Sequence, residues 1–233
     1  MKFTLMAVAI GSALLAAAPA AAVTYDAFMS FTGTNTGGAF TYGSLNDVAA
    51  TAVFTAYNDS PGCAGLISNV ICSSNGFLPA AFKSTAGAHQ SGSVIVPSNA
   101  LLFHPGPNAG ESAAVLFTAP TAGNYLLSFS SFVADNSPSG VVIEAFSAAG
   151  VLTPIATLTA ANPTFSFASV PLTFVAGDTV GFAVNYNGSY NNDSTGINVT
   201  LTTVPEPAAW TLMIVGFGLV GFAARRRTYA VTA

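Results

Sequence analysis

The chain has 233 residues, 52% of them hydrophobic and only 6% charged, with a formal net charge of −4. That length suits one good-sized domain plus targeting segments, and the charge content lies far below the roughly 25% usual in soluble globular domains. Between Val23 and Val204 a single cation, Lys83, faces eight carboxylates (Asp26, Asp47, Asp59, Glu111, Asp135, Glu144, Asp178 and Asp193), a net −7 that cannot neutralise a phosphate backbone and so excludes nucleic-acid binding.

The chain opens with "MKFTLMAVAIGSALLAAAPAAA", Met1 to Ala22. One lysine, an apolar stretch and an A-x-A-like site at Ala20-Ala21-Ala22 predict a secretory signal peptide over 1–22. Export agrees with the two cysteines. Cys63 and Cys72 lie in "PGCAGLISNVICSSNG", flanked by turn residues, and a local disulfide is the expected state in an oxidising compartment. A zinc site would need further Cys or His ligands, and the nearest, His89, is distant in sequence.

From residue 23 to 204 the dominant pattern has period two, which predicts one all-β domain. Residues 23 to 100 are the less regular part, and "FTGTNTGGAFTYGS" reads as loop or weak edge strands. Strand candidates are Ala49 to Tyr57, Ser93 to Val96, Ala113 to Phe117, Ile155 to Thr159 and Thr164 to Val170. The clearest alternations set Tyr125, Leu127 and Phe129 on one face, likewise Val141, Ile143 and Ala145, then Val180, Phe182, Val184 and Tyr186, and last Ile197, Val199 and Leu201. Turn residues such as Pro120-Thr121-Ala122-Gly123 and Ala176-Gly177-Asp178 separate them. Short strands at such spacing predict an antiparallel β-sandwich or jelly roll.

The tail, 205–233, begins with Pro205-Glu206-Pro207, and the prolines keep Glu206 extended and outside any helix. Ala208 to Ala224, "AAWTLMIVGFGLVGFAA", carries no charge and at ~1.5 Å per residue is just long enough for a transmembrane helix. Trp210 suits one headgroup layer and Arg225, Arg226 and Arg227 suit the cytoplasmic one. In this order, Pro205, Glu206, Pro207, Trp210, the apolar helix and the three arginines resemble the PEP-CTERM sorting signal of exported bacterial proteins. The resemblance implies a membrane protease-transpeptidase partner, exosortase, that cuts near the Pro-Glu-Pro. It also implies transient inner-membrane anchoring, a final place in the envelope, at the cell surface or outside the cell, and an association with exopolysaccharide. Thr228 to Ala233 extends further past the arginines than that pattern leads one to expect.

Leu101 to Thr203 carries a second resemblance, in His104-Pro105-Gly106, Ala119-Pro120, Gly177-Asp178-Thr179 and Asp193-Ser194-Thr195-Gly196. These pieces resemble the jelly-roll domain of other PEP-CTERM surface proteins and are similar in style to carbohydrate-binding jelly rolls. The likeness implies a fold more than an activity.

Catalytic chemistry has few candidates. Glu111, Glu144, Asp135, Asp178 and Asp193 lie on separate segments with no spacing that predicts convergence, and Glu144 is expected on a solvent-facing strand position. His104 before Pro105-Gly106-Pro107 reads as a turn residue, and no G-x-S-x-G, H-E-x-x-H or phosphate-cradling glycine loop occurs. The expectation is a non-enzymatic exported surface or matrix protein without a cofactor. The alternative is a cell-surface carbohydrate-binding module, in which exposed Tyr186 and Tyr190 stack on a sugar beside Asn192 and Asp193. Structural calcium held by Asp178, Asp193 and neighbouring asparagines is a further candidate. A secreted hydrolase comes third.

Overall fold

The computed structural model describes residues 21–48, 51–58, 63–205, 214–222 and 225. Strands are numbered along the chain. The larger sheet runs β13 (Thr164–Phe174), β10 (Gly123–Val133), β15 (Thr195–Val204), β8 (Leu101–His104), β5 (Ala80–Ser84), β4 (Val70–Ser74), with β1 (Thr24–Asp26) also paired to β15. The smaller runs β12 (Leu152–Leu158), β11 (Val141–Phe146), β14 (Thr179–Asn185), β9 (Ser112–Thr118), β2 (Phe40–Asn46), β3 (Val53–Ala56). All pairings between these strands are antiparallel. A small hairpin joins β6 (His89–Ser91) to β7 (Val94–Val96). The fold is the all-β sandwich that the sequence predicts.

The alternating apolar residues explain why the sheets face each other. Tyr125, Leu127 and Phe129 of β10, Ile197, Val199 and Leu201 of β15, Val141 and Ile143 of β11, and Phe182 and Val184 of β14 share one buried core. The Phe129 and Phe182 rings stack across it at 4.3 Å between centroids, and Phe117 meets Tyr125 edge-on at 5.9 Å. Stacked and edge-to-face pairs add about 0.5–1.5 kcal/mol each to the burial of their area.

β15 organises the larger sheet. β10 pairs with it from Asn124↔Val204 to Val133↔Thr195, and its other edge is shared by β8 at 195–197 and β1 at 200–202. The Thr203 amide donates to the Val23 carbonyl at 2.9 Å, and the Val23 amide donates to the Thr203 hydroxyl at 2.8 Å. Residues 22–204 form one compact unit, whose first and last strands are therefore stitched together.

Several expectations need correction. "FTYGSLN" is no loop or weak edge strand. As β2 it lies between β9 and β3 and buries Phe40, Tyr42 and Leu45. Gly43 disguised it, because a Cβ there would run into the Thr55 carbonyl and the Phe54 ring of β3. The candidate Ala49 to Tyr57 contracts to Val53–Ala56, with 49–50 outside the described residues. β14 is buried on both faces: Phe182 and Val184 enter the main core, while Ala183 packs under Leu45, Leu116 and Phe146 on the outer side of the smaller sheet. On that same outer side Glu144 is 5% exposed, contrary to its expected solvent-facing position.

The larger sheet also carries an outer cluster. Cys63, Ile67, Phe82, Val96, Leu102 and Ala134 pack together where the disulfide loop and the β6–β7 hairpin fold back over it. Cys63 and Cys72 are bonded, with Cα atoms 6.2 Å apart.

Of the expected signal peptide, residues 1–20 lie outside the described residues, as do Glu206, Pro207, Trp210, Arg226 and Arg227. The tail contributes a helix at 214–222 with exposed apolar side chains, Ile214, Phe217 and Val220 among them. Among the described residues no helix is long and apolar enough to cross a membrane. The rest of the expected span, 208–213 and 223–224, lies outside them.

Candidate functional site

The hydrogen-bonded segments that cover the larger sheet leave a cleft between them. The 134–136 segment is tied to the β6–β7 hairpin by the Ile95 amide donating to Ala134 O and the Asn136 amide donating to Ser93 O, and to β15 by the Ala134 amide donating to Ser194 O. Leu66 and Ile67 of the disulfide loop, Leu78 and Phe82 around β5, and Val94 of β7 supply apolar walls. Ser93, His104, Asp135, Asn192 and Ser194 supply polar ones, and the cavity measures ≈ 170 Å³.

Two of these polar groups have no partner. Asp135 is 7% exposed and its Oδ1 is buried without a hydrogen bond; Ser194 is 1% exposed and its Oγ is likewise unpaired. Burial pushes the His104 imidazole below its ordinary value, against smaller opposing effects of the Pro105 carbonyl and Asp135, so the ring is neutral at pH 7. Its Nδ1 lies 2.8 Å from the Pro105 carbonyl, an acceptor, so Nδ1 carries the proton and Nε2 is left as an acceptor.

Asp193, expected as a ligand contact, fastens two loops through Oδ1, while its Oδ2 is buried without a partner. Its Oδ1 accepts from the Gly140 amide at 3.0 Å and lies 2.8 Å from the Ser139 hydroxyl, whose single proton is shared among Asp193 Oδ1 and the carbonyls of Ser189 and Asn191, all within hydrogen-bond distance. This clamps the 187–193 loop onto the 137–140 loop and so fixes Asn192 and Ser194 on either side of it. Burial pushes the Asp193 carboxyl up to about 6, although the Ser139 and Gly140 donors favour its charged form. Asn192 lines the cleft and donates to Ser137 O at 3.1 Å. Tyr190 stands edge-on to His104 at 6.3 Å between ring centroids. Tyr186 and Tyr190, expected to be exposed, are half-buried.

Asp178 is not part of this site. It sits at the other end of β14 from the 187–193 loop, accepting from the Val175 amide at 2.8 Å in the turn before the strand. Asp178 and Asp193 therefore cannot share the calcium ion considered for them. Among the described residues no group of three or more His, Cys, Asp or Glu side chains could hold a metal ion.

One carboxylate pair does converge, though no spacing foretold it. Asp47 Oδ2 accepts from Ser112 Oγ and Asn185 Nδ2, both at 2.6 Å, and the Glu144 carboxyl lies against Asp47 and Asn185. Burial, then the Asp47 charge, pushes Glu144 up to about 7. A second concavity, an open groove of ≈ 510 Å³, crosses the outer face of β10, β13 and β15, where Ser128, Ser130, Ser166, Asn198 and Thr200 line it, while the Phe167 ring turns inward onto Phe129 and Phe182.

The sequence marked Asn192, Tyr190 and Asp193 but not the groups they assemble with. His104 reads as a turn residue and Asp135 as an isolated carboxylate, and the residues that line the cleft with them come from four other segments, 66–67, 78–82, 93–94 and 192–194. The strongest local sign was His104 closing a strand in front of Pro105-Gly106-Pro107.

Residues 203–227 match the PEP-CTERM protein-sorting motif, which marks an exported protein sorted by exosortase to the cell envelope. No curated protein matches the chain. Among solved structures, a Podospora anserina GH26-CBM35 β-(1,4)-mannanase aligns at 18% identity over 55% of this chain and 26% of its own, TM-score 0.32. A family 29 carbohydrate-binding module aligns at 12% identity over 70% of this chain and 89% of its own, TM-score 0.29. A Paenibacillus sp. cycloisomaltooligosaccharide glucanotransferase aligns at 13% identity over 61% of this chain and 17% of its own, TM-score 0.28. The chain thus spans about a quarter of the mannanase chain. Overlaps this low fix neither topology nor ligand.

Proposed function

We propose that the chain is the precursor of a non-enzymatic surface or extracellular-matrix protein, delivered by exosortase and working without a cofactor among exopolysaccharide. The observation that carries this reading is where the sandwich ends. β15 finishes at Val204, one residue before Pro205, and Val23 is hydrogen-bonded to Thr203. Cuts after Ala22 and near Pro205-Glu206-Pro207 therefore remove both targeting segments and leave every strand of the sandwich intact. The partners before processing are the inner membrane, through the tail, and the exosortase. The uncharged hydroxyl and amide groove on β10, β13 and β15 suits a neutral polymer environment.

The test is the intact mass and C-terminal peptide of the protein recovered from its native cells. The expected product starts near Val23 and ends close to Pro205. A chain running intact to Ala233 in the inner-membrane fraction would overturn the reading. A carbohydrate-binding role is the second reading, favoured by the cleft, whose apolar walls and convergent polar groups are the common anatomy of a ligand site.

A further inference from the structure

We infer that the cleft lined by Phe82, His104, Asp135, Asn192 and Ser194 binds the terminal ring of a neutral saccharide chain, a proposal that rests on the carbohydrate-binding reading. Three observations select this ligand class. The first is the pair of unpaired groups. A buried polar atom without a partner costs about 1–3 kcal/mol, and two of them, Asp135 Oδ1 and Ser194 Oγ, lie on residues that line the same cavity. Hydroxyl groups supply the missing bonds.

The second is the balance of donors and acceptors. The Asp135 carboxylate accepts only, the neutral His104 ring keeps Nε2 as an acceptor, and Ser194 Oγ both donates and accepts. The Asn192 amide nitrogen donates one of its two N–H groups to Ser137 O, which leaves one donor against these acceptors. An acceptor-rich wall calls for a ligand with several O–H donors. Asp135, with buried Asp193 close enough to feel its charge, disfavours a uronic acid or a phosphate. The only cation of the 23–204 span, Lys83, is engaged elsewhere, donating to Phe31 O at 3.2 Å and resting over the Phe28 ring.

The third is shape. Leu66, Ile67, Leu78, Phe82 and Val94 belong to one apolar cluster and line the same cavity as the polar groups, a mixture that suits a pyranose, whose C–H face is apolar and whose rim carries hydroxyls. Drug-sized ligands occupy about 300–1,000 Å³, so ≈ 170 Å³ admits one ring rather than an oligosaccharide laid lengthwise. The cleft reads the end of a chain.

Saturation-transfer NMR on the full-length protein tests this with methyl glycosides of glucose, galactose, mannose and N-acetylglucosamine, against methyl glucuronide and calcium chloride. At least one neutral glycoside is expected to bind, at least tenfold more weakly to Asp135→Asn and to Ser194→Ala, and unchanged to Thr173→Ala. Ser194→Ala removes only an unpaired hydroxyl and keeps the test valid if Asp135→Asn fails to fold. The proposal is overturned if no neutral glycoside binds, if the glucuronide binds equally well, if calcium alone saturates the cleft, or if Ser194→Ala binds like the parent. Sedimentation with the cells' own exopolysaccharide, run beside it, separates the two failures. Retention of the Ser194→Ala variant with an empty cleft would sink this site and leave the carbohydrate-binding reading standing, whereas loss of retention by the parent would sink that reading itself.

Discussion

The two outer faces of the sandwich each bury a carboxylate with an unpaired oxygen, and they put it to different use. Over the larger sheet, Asp135 faces a cavity, with Ser194 and His104 beside it. Over the smaller sheet, Glu144 faces another carboxylate, Asp47, with Asn185 and Ser112 around the pair. A buried charge is costly unless something compensates it. Over the larger sheet the space is open to a ligand; over the smaller one a second acid fills it and a proton compensates. The lesson is that an orphaned carboxylate identifies a site only together with what stands in front of it.

The largest way to break this contrast is to remove the floor of the cleft. Phe82 is 1% exposed in the outer cluster of the larger sheet, so Phe82→Ala is expected to cost about 3–5 kcal/mol. Urea unfolding should show it as a lowered midpoint, while the pH dependence assigned to Glu144 survives. Loss of that dependence together with the midpoint would mean that the two faces are not independent.

A smaller effect sharpens the other side. Glu144 stands at about 7 in the fold against 4.5 in the unfolded chain. Between those values the folded state binds the extra proton, so this contribution is fully favourable below pH 4.5. It is lost as pH rises to 7, by on the order of 2–3 kcal/mol. Glu144→Gln holds the neutral form permanently and should be more stable than the parent at pH 8 and equal to it near pH 4.5. The slope that remains should include the Asp193 window, between 3.8 and about 6, and that of His104, below 6.5. A stability difference between parent and variant that stays constant from pH 4.5 to 7 in unfolding titrations would contradict the assignment.

The smallest expected change concerns the clamp beside the cleft. Ser139→Ala removes the hydroxyl that joins Asp193 to the Ser189 and Asn191 carbonyls. A loss of about 1 kcal/mol is expected, with faster amide exchange confined to residues 187–194. Exchange unchanged there would show that the Gly140 amide and the Asn192–Ser137 bond hold the loop without the hydroxyl.

Much of the architecture was legible because period-two burial leaves a direct trace. Tyr125-Leu127-Phe129 and Ile197-Val199-Leu201 point to the core as their alternation requires. The trace fades where both faces are buried, as in β14, and where close packing demands glycine, as at Gly43 in β2. The sorting tail was legible because its signal is contiguous in the chain. The cleft was not, because His104, Asp135 and Ser194 meet only after three strand ends, a disulfide loop and a hairpin have packed. Glu144 was misassigned for a related reason: its cover is the distant Asp47 segment, which no neighbour in sequence announces.

The pairing of β15 with β10, β8 and β1 has a consequence for the order of folding. The central strand of the larger sheet is the last to leave the ribosome, and until Val204 has emerged three earlier strands lack their partner along it. Non-local pairings of this kind fold slowly and leave edges exposed in the meantime. The larger sheet is thus completed only when the strand directly ahead of the sorting tail is in place.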